Sequence, residues 1–462
     1  MTLEPDEPPR KSRIILPGEP ERETPRSEVG PEATPEAPHI VLPPGVDAPE
    51  EDLPEYPRLR PLEMIPVRDQ ERDYLVISDP MGVVPAPIAL RLEVLELLQL
   101  LDGSLSLHEL SALVARESKD IRAGRFVRDL VSQLDHLLLL DSPRFQEALA
   151  EVRTAYHALE IRPAALEGIS YPADPAAARA FLDAHVEAAR AMANGAGGPA
   201  PTEPPRALMV PHLDPRRGGP SIALGWNELE RRAASGRPLR VVVFGVGHAL
   251  IGEPFALTRK HFETPFGKLS CDTAFVDAVA GKLGDAAYRG ELAHRMEHSI
   301  ELQALYLQHR FADRALKLVP ILCGGFHPLL ETGQTPREAG TFEALIEAVQ
   351  AAAASLGGDT LYVAAVDFSH VGPRFGDPAP DERTRGEVEV GDRAAIEAAR
   401  AGDAEAWYQS IASRRDSTRI CGWGATYAML RTAAPGAGRV LHYEQSNEPD
   451  HSMVSIATLA WP

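Results

Sequence analysis

The chain has 462 residues and a mass of 50.1 kDa, enough for two or three domains, and its 44% hydrophobic content provides for a substantial core. A formal net charge of −20 repels phosphate backbones and no local basic patch offsets it, which argues against a nucleic-acid partner. No apolar run approaches the roughly 20 residues that span a bilayer; the acidic, Pro-rich start "MTLEPDEPPRK" lacks the apolar stretch of a secretory signal, and three widely spaced cysteines suit a reducing cytoplasm better than a disulfide framework.

Residues 1–55 are crowded with Pro, Glu and Asp and nearly lack aromatics, so they are expected to form a disordered tail. From Arg58 the pattern changes. "RDYLVISDP" reads as a strand ending at Asp79-Pro80, and "IALRLEVLELLQLLDG" as a helix stopped by Gly103. "SLHELSALVARE" opens with Ser106 as an N-cap and Glu109 as its capping-box partner. "AGRFVRDLVSQLDHLLLL" gives a third helix. Strand, helix, short helix and helix over residues 56–150 describe a small winged-helix-like α+β module.

Beyond Pro163 the pattern is α/β, with a linker or surface loop at "NGAGGPAPTEPPR". Its strand candidates are "ALMV", "RVVVFG", "LKLVPILCG", "TLYVAAV", "RVLHYE" and "SMVSIATLAW", separated in places by helical patterns such as "EHSIELQALYLQHRF" and "TFEALIEAVQAAAASL". The early strands are almost continuously apolar, as strands covered on both faces are. An α/β sheet with a central parallel part follows.

Sites in such sheets form just beyond the carboxyl ends of strands. "LMVPH" puts His212 directly after the first strand, "VVVFGVGH" puts His248 past the second, and "VAAVDFSH" puts Asp367 and His370 past the fourth. "RICGWGATYAML" places Cys421 before a helix start, where a thiolate is favoured. Imidazoles, a thiolate and a carboxylate suit a transition metal, but each alone is an ordinary core or surface residue. Glu297 and Glu301, spaced i, i+4, share a face of the "EHSIELQ" helix with His298 and Ile300 turned to either side. Either one carboxylate faces the pocket or this is an acid-rich first turn. Cys271 and Cys323 read as packing residues.

The motifs "GISYPADP", "VPH", "GVGH", "ETPFGKLSCD", "EHSIELQ", "LVPILCG", "VDFSHVG", "CGWGATYAML" and "HYEQSNEPDHSMVSIA" resemble, in order and spacing, the Memo family, known in prokaryotes as AmmeMemoRadiSam system protein B. The resemblance covers residues 155–462 and implies an α/β three-layer fold with a mixed central sheet, similar to class III extradiol (LigB-like) dioxygenases. It further implies a non-haem metal, iron (Fe2+) with copper as the alternative, held by His212, His248 and Cys421; the same three donors also suit zinc. Asp367, His370, Glu297 and His298 are then the neighbouring acid-base candidates. The stretch from "RPLEMIPVRDQERDYLVISDP" to "FVRDLVSQLDHLLLLD" is similar to PqqD-like peptide-binding winged-helix modules.

Two functions follow from these likenesses. One is a metal-dependent oxidoreductase acting on a small molecule or peptide; the other is a non-catalytic metal-binding or peptide-binding adaptor serving radical S-adenosylmethionine and AMMECR-type partners. The chain also departs from the Memo pattern. "PHLDPRRGG" stands where the family reads PHAGY, so Pro215 replaces a pocket aromatic and Asp214, Arg216 and Arg217 become either anion-binding groups or a solvated salt bridge. The segment "GPRFGDPAPDERTRGE" is a candidate lid.

Overall fold

The computed structural model describes residues 53–69, 72–195, 204–230, 238–311 and 314–462. Most of the expected tail, and most of the expected linker around residues 196–203, lie outside them. The chain divides into two compact units between Thr154 and Ala155. No helix among the described residues is long and apolar enough to cross a membrane.

In the first unit, strands β1 (Glu63–Asp69), β2 (Arg72–Ser78) and β3 (Ile88–Arg91) form an antiparallel sheet in that order. The helices Leu107–Ser118 and Arg122–His136 bury Leu110, Val114, Val127, Leu130 and Leu134 in one core with Leu75, Ile77, Ile88 and Leu90 of the strands. The Ser106–Glu109 capping box forms in full. The expected helix over "IALRLEVLELLQLL" is instead β3 followed by a short 3-10 turn and the single helical turn Leu95–Leu98. Ile88 and Leu90 alternate with half-buried Ala89 and exposed Arg91, a period of two that the leucines downstream obscure.

The second unit is built on β4 (Ile161–Arg162), β5 (Ala207–Val210), β6 (Leu239–Val246), β7 (Phe255–Leu257), β8 (His261–Thr264), β9 (Gly267–Leu269), β10 (Leu316–Cys323), β11 (Asp359–Ala365), β12 (His370–Val371), β13 (Arg439–Asn447) and β14 (Met453–Trp461). Eight of these form one mixed sheet in the order β12-β14-β5-β11-β6-β10-β7, with β13 paired to β14. The central strands β5, β11, β6 and β10 run parallel; β14 and β7 flank them antiparallel.

Alternation along the strands makes three layers. Ala207, Met209, Val242 and Phe244 face one apolar cluster, which includes Phe275, Val349, Ile396 and Met429. Leu208, Val210, Val241 and Val243 face the other, with Leu182, Ile222 and Leu305. Helices therefore cover both faces, which is why the strands read as unbroken apolar runs.

Candidate metal centre

Three neighbouring parallel strands each deliver a polar group at their carboxyl ends. β5 is followed by Pro211-His212, β11 by Val366-Asp367 and β6 by Gly247-His248. His212, 2% exposed, donates its Nδ1–H to the Ala365 carbonyl at 2.9 Å. Its Nε2 lone pair then faces Cys421 Sγ at 3.5 Å and Asp367 Oδ2 at 3.7 Å. Asp367 Oδ1 in turn accepts from the backbone amides of His212 (2.9 Å) and Leu213 (3.2 Å), tying the ends of β5 and β11 together.

His248 is held the same way from the other side. The Glu297 carboxylate accepts from its backbone N–H at 3.0 Å and from Nδ1 at 3.0–3.1 Å, leaving Nε2 for the Cys421 thiol. Glu297 is the N-cap of the helix His298–Arg310, with extended backbone and a bond from Ser299 N at 2.9 Å, rather than a residue of its first turn. That one-residue shift corrects the expected geometry: His298 does not turn away but stacks on His248, with ring centroids 4.8 Å apart, and meets His212 edge-on at 5.1 Å. Glu301, the partner expected on the same face, points elsewhere. Its carboxylate is buried against Arg162 (2.6 Å), the amides of Ala165 and Leu166, and Tyr171 OH.

Cys421 arrives from the third direction, immediately before the helix Trp423–Ala433. Its Sγ also lies 3.5 Å from the Asp367 carbonyl, and the Gly422 amide donates to that same oxygen at 3.3 Å. A Cβ on Gly422 would stand 2.5 Å from Val366 Cβ, so only glycine lets this loop reach β11. The loop carries Arg415, Asp416 and Arg419 with φ of 53°, 48° and 55°, a left-handed backbone that costs these side chains on the order of 1 kcal/mol each and persists only where surroundings enforce it. Here they do: Asp416 accepts from Ile420 N (2.8 Å) and binds His327 Nε2 (2.9 Å), and Arg419 pairs with both oxygens of Asp377 at 2.8 Å.

His370 sits in the short strand β12, its Nδ1 shared by the carbonyls of Phe368 (2.8 Å) and Arg419 (3.0 Å), so that its Nε2 is the basic nitrogen. Phe375 meets its ring edge-on at 5.1 Å and packs with Leu213, Val454 and Ile456. This aromatic, in the segment expected to be a lid, was not singled out in the sequence; only "GPRF" beside the motif hinted at it. The rest of that segment is corrected too, since Asp381 caps a helix Glu382–Arg400 and "ERTRGE" is its beginning. Ser369 faces away, onto the buried Asp392, which also accepts from Ser455 Oγ and Tyr443 OH.

Burial sets the protonation of most of the cluster. It pulls the His212 imidazole down to about 4, with the charge of His248 adding to the effect, and takes His298 down to about 4 despite Glu297. It lowers His370, and it raises Asp367 and the Cys421 thiol. For His248 burial is the largest single influence and acts downward, but the Glu297 charge and the hydrogen bonds to Cys421 and Glu297 together outweigh it and hold the imidazole well above its usual value.

Asp214, Arg216 and Arg217 are spoken for. Asp214 caps the helix Pro215–Asn227 through Arg216 N, Arg216 donates to the Ile169 carbonyl, and Arg217 pairs with the buried Glu448. They form the salt-bridged loop rather than free anion donors. Cys271 and Cys323 are buried in the packing, and burial pushes the Cys271 thiol up to about 12.

The donor set fits a metal ion. Ligand atoms of His212, His248 and Cys421 all lie within 4.8 Å of one another, as do those of His248, Glu297 and His298. Ligands at about 2.0 Å (nitrogen) and about 2.3 Å (sulfur) from one tetrahedral ion stand roughly 3.5 Å apart, the separation seen between His212 Nε2 and Cys421 Sγ. Both imidazoles have their other nitrogen tied to a carbonyl or carboxylate, as metal-bound imidazoles do.

The family model described as Memo-like protein matches residues 162–460. A MEMO1 family protein of Thermus thermophilus is 31% identical over 334 residues, 72% of this chain and 92% of the relative. One from Aquifex aeolicus is 26% identical over 417 residues, 88% of this chain and 99% of the relative, an extent that reaches into the first unit. One from Methanopyrus kandleri is 30% identical over 303 residues, 63% of this chain and 95% of the relative. With its strand-end histidines and the sheet that carries them inside the matched region, the chain belongs to the Memo-like family.

Proposed function

We propose that His212, His248 and Cys421 hold a single redox-active transition metal, iron in the first place and copper as the alternative, and that the protein is a metal-dependent oxidoreductase. The observation that carries this reading is the convergence, within 4.8 Å, of ligand atoms from two imidazoles past the ends of β5 and β6 and from the Cys421 thiol of the loop before the helix Trp423–Ala433. Such a set leaves coordination positions open, and the bound ion would supply electron transfer to a substrate or to O₂ there.

The chain's own groups divide the remaining work. Glu297 fixes the His248 tautomer and orients its ring. Asp367 fixes the backbone at His212. His370, with Nδ1–H engaged by two carbonyls, presents Nε2 as a proton acceptor. His298, its side chain 36% exposed where that of His212 is 2% exposed, is the more accessible imidazole and would contact substrate. We further propose that the protein works with radical S-adenosylmethionine and AMMECR-type partners in a modification system, a reading supported only by the resemblance of its motifs to AmmeMemoRadiSam system protein B.

Elemental analysis and electron paramagnetic resonance on protein purified without oxygen test the centre. One iron or copper per chain is expected in the wild type, and loss of most of it in His212→Ala and in Cys421→Ala. Full metal content in both variants would refute the assignment.

A further inference from the structure

The first unit carries a groove of about 290 Å³ that no part of the metal centre uses. Its floor is apolar, lined by the buried Leu97 and Val114, the half-buried Leu113 and Phe126, and Leu100, which is 36% exposed. Its rim is acidic, with Glu93, Glu96 and Glu117 all solvent-facing. Among the described residues no cation pairs with Glu93 or Glu96, while Glu117 meets only its neighbour Arg116, at 3.5 Å, in an exposed pair of little strength. Apolar surface ringed by like charges favours an occupant that is aliphatic in the middle and cationic at its edge.

The chain itself contains one such segment. Residues 10–16 read "RKSRIIL", three cations within four positions running directly into three aliphatic residues, inside an otherwise acidic, Pro-rich stretch. Elsewhere in residues 1–52 neither feature recurs beside the other. The span between Leu16 and Leu53, at roughly 3.3 Å per residue, reaches any face of the unit. Being tethered, the segment meets the groove at a high effective concentration, so a modest affinity keeps it docked.

We propose that residues 10–16 dock in this groove within the same chain, with Arg10, Lys11 and Arg13 on the glutamate rim and Ile14, Ile15 and Leu16 on the floor. The groove is then a covered site, and another cationic, aliphatic segment gains it only by displacing the tail. The inference stands apart from the metal reading and shares no residue with it.

Hydrogen exchange on the full chain, read by mass spectrometry, tests this. Residues 10–16 are expected to be protected in the wild type and to exchange roughly tenfold faster in Glu93→Lys/Glu96→Lys/Glu117→Lys. The same loss is expected in Arg10→Glu/Lys11→Glu/Arg13→Glu, and the two sets combined restore protection by swapping the charges. Unchanged exchange in the helix Arg122–His136 shows in each variant that the unit remains folded. A labelled peptide of residues 8–18 is expected to bind the tail-reversed chain and not the wild type. Free-peptide exchange of residues 10–16 in the wild type, protection indifferent to the rim charges, or protection that depends on protein concentration each overturns the proposal.

Discussion

At the scale of single residues, the site depends on groups that hold the proposed ligands as much as on those ligands. Glu297 makes three bonds that fix His248 and the start of the helix His298–Arg310. Glu297→Gln keeps the shape and one acceptor but removes the charge that raises the basicity of the imidazole. Metal affinity is expected to fall about 10- to 100-fold, with the thermal midpoint changed little; competition against a chelator of known affinity measures it. Thiol chemistry offers a separate check. Cys271 and Cys323 are buried and Cys421 is half-buried, so a thiol reagent is expected to titrate one group in the folded, metal-free protein and three in denaturant. Cys421→Ser should bring the folded count to zero.

The same residues show what a sequence can convey. The placement of His212, His248 and Asp367 past strand ends was legible because parallel strands covered on both faces announce themselves as apolar runs, and their ends are then fixed to within a residue or two. The orientation of His298 was not legible, because it turns on whether Glu297 is the first helical residue or the cap before it, and periodicity alone does not separate the two. The environment of Glu301 was hidden for a different reason. Its partner Arg162 lies far away in the chain and is buried completely, against the usual habit of arginine.

At the scale of elements, the loop into the helix Trp423–Ala433 is the part of the site under most backbone strain. Gly422→Ala would force its methyl into Val366 and the Asp367 carbonyl, at a cost of about 1–3 kcal/mol of overpacking, and would move Cys421 away from His212. Lower stability in urea together with reduced metal content is the expected pair of outcomes. The loop is also pH-sensitive through His327, whose imidazole is raised by its hydrogen bond to Asp416. A raised histidine stabilises the fold fully below its unfolded value of about 6.5, and that contribution is lost as pH rises through the folded value. The urea midpoint of the wild type is therefore expected to fall between about pH 6 and pH 8 by more than that of His327→Gln. Equal slopes would remove His327 from the account.

At the scale of the whole second unit, Arg162 joins its first strand to the segment that carries Glu297 and His298. Its guanidinium donates to the carbonyls of His294 (2.5 Å), Glu297 (2.7 Å) and Pro163 (3.1 Å), lies over Phe262, and meets Glu301 at 2.6 Å, with neither side chain of the pair exposed. Truncating one partner of such a pair leaves the other charge buried without compensation. Arg162→Leu is expected to destabilise the unit by about 3–5 kcal/mol in urea unfolding and to loosen the His248–Glu297 contact, lowering metal content as well. Removing Glu301 as well, in Arg162→Leu/Glu301→Leu, takes away the stranded charge but orphans the amides of Ala165 and Leu166 and the Tyr171 hydroxyl. The double variant should thus recover part of the loss and not all of it. If it were as stable as the wild type, the pair would be only a means of filling space, and the link from β4 to the candidate metal centre would have to run through packing alone.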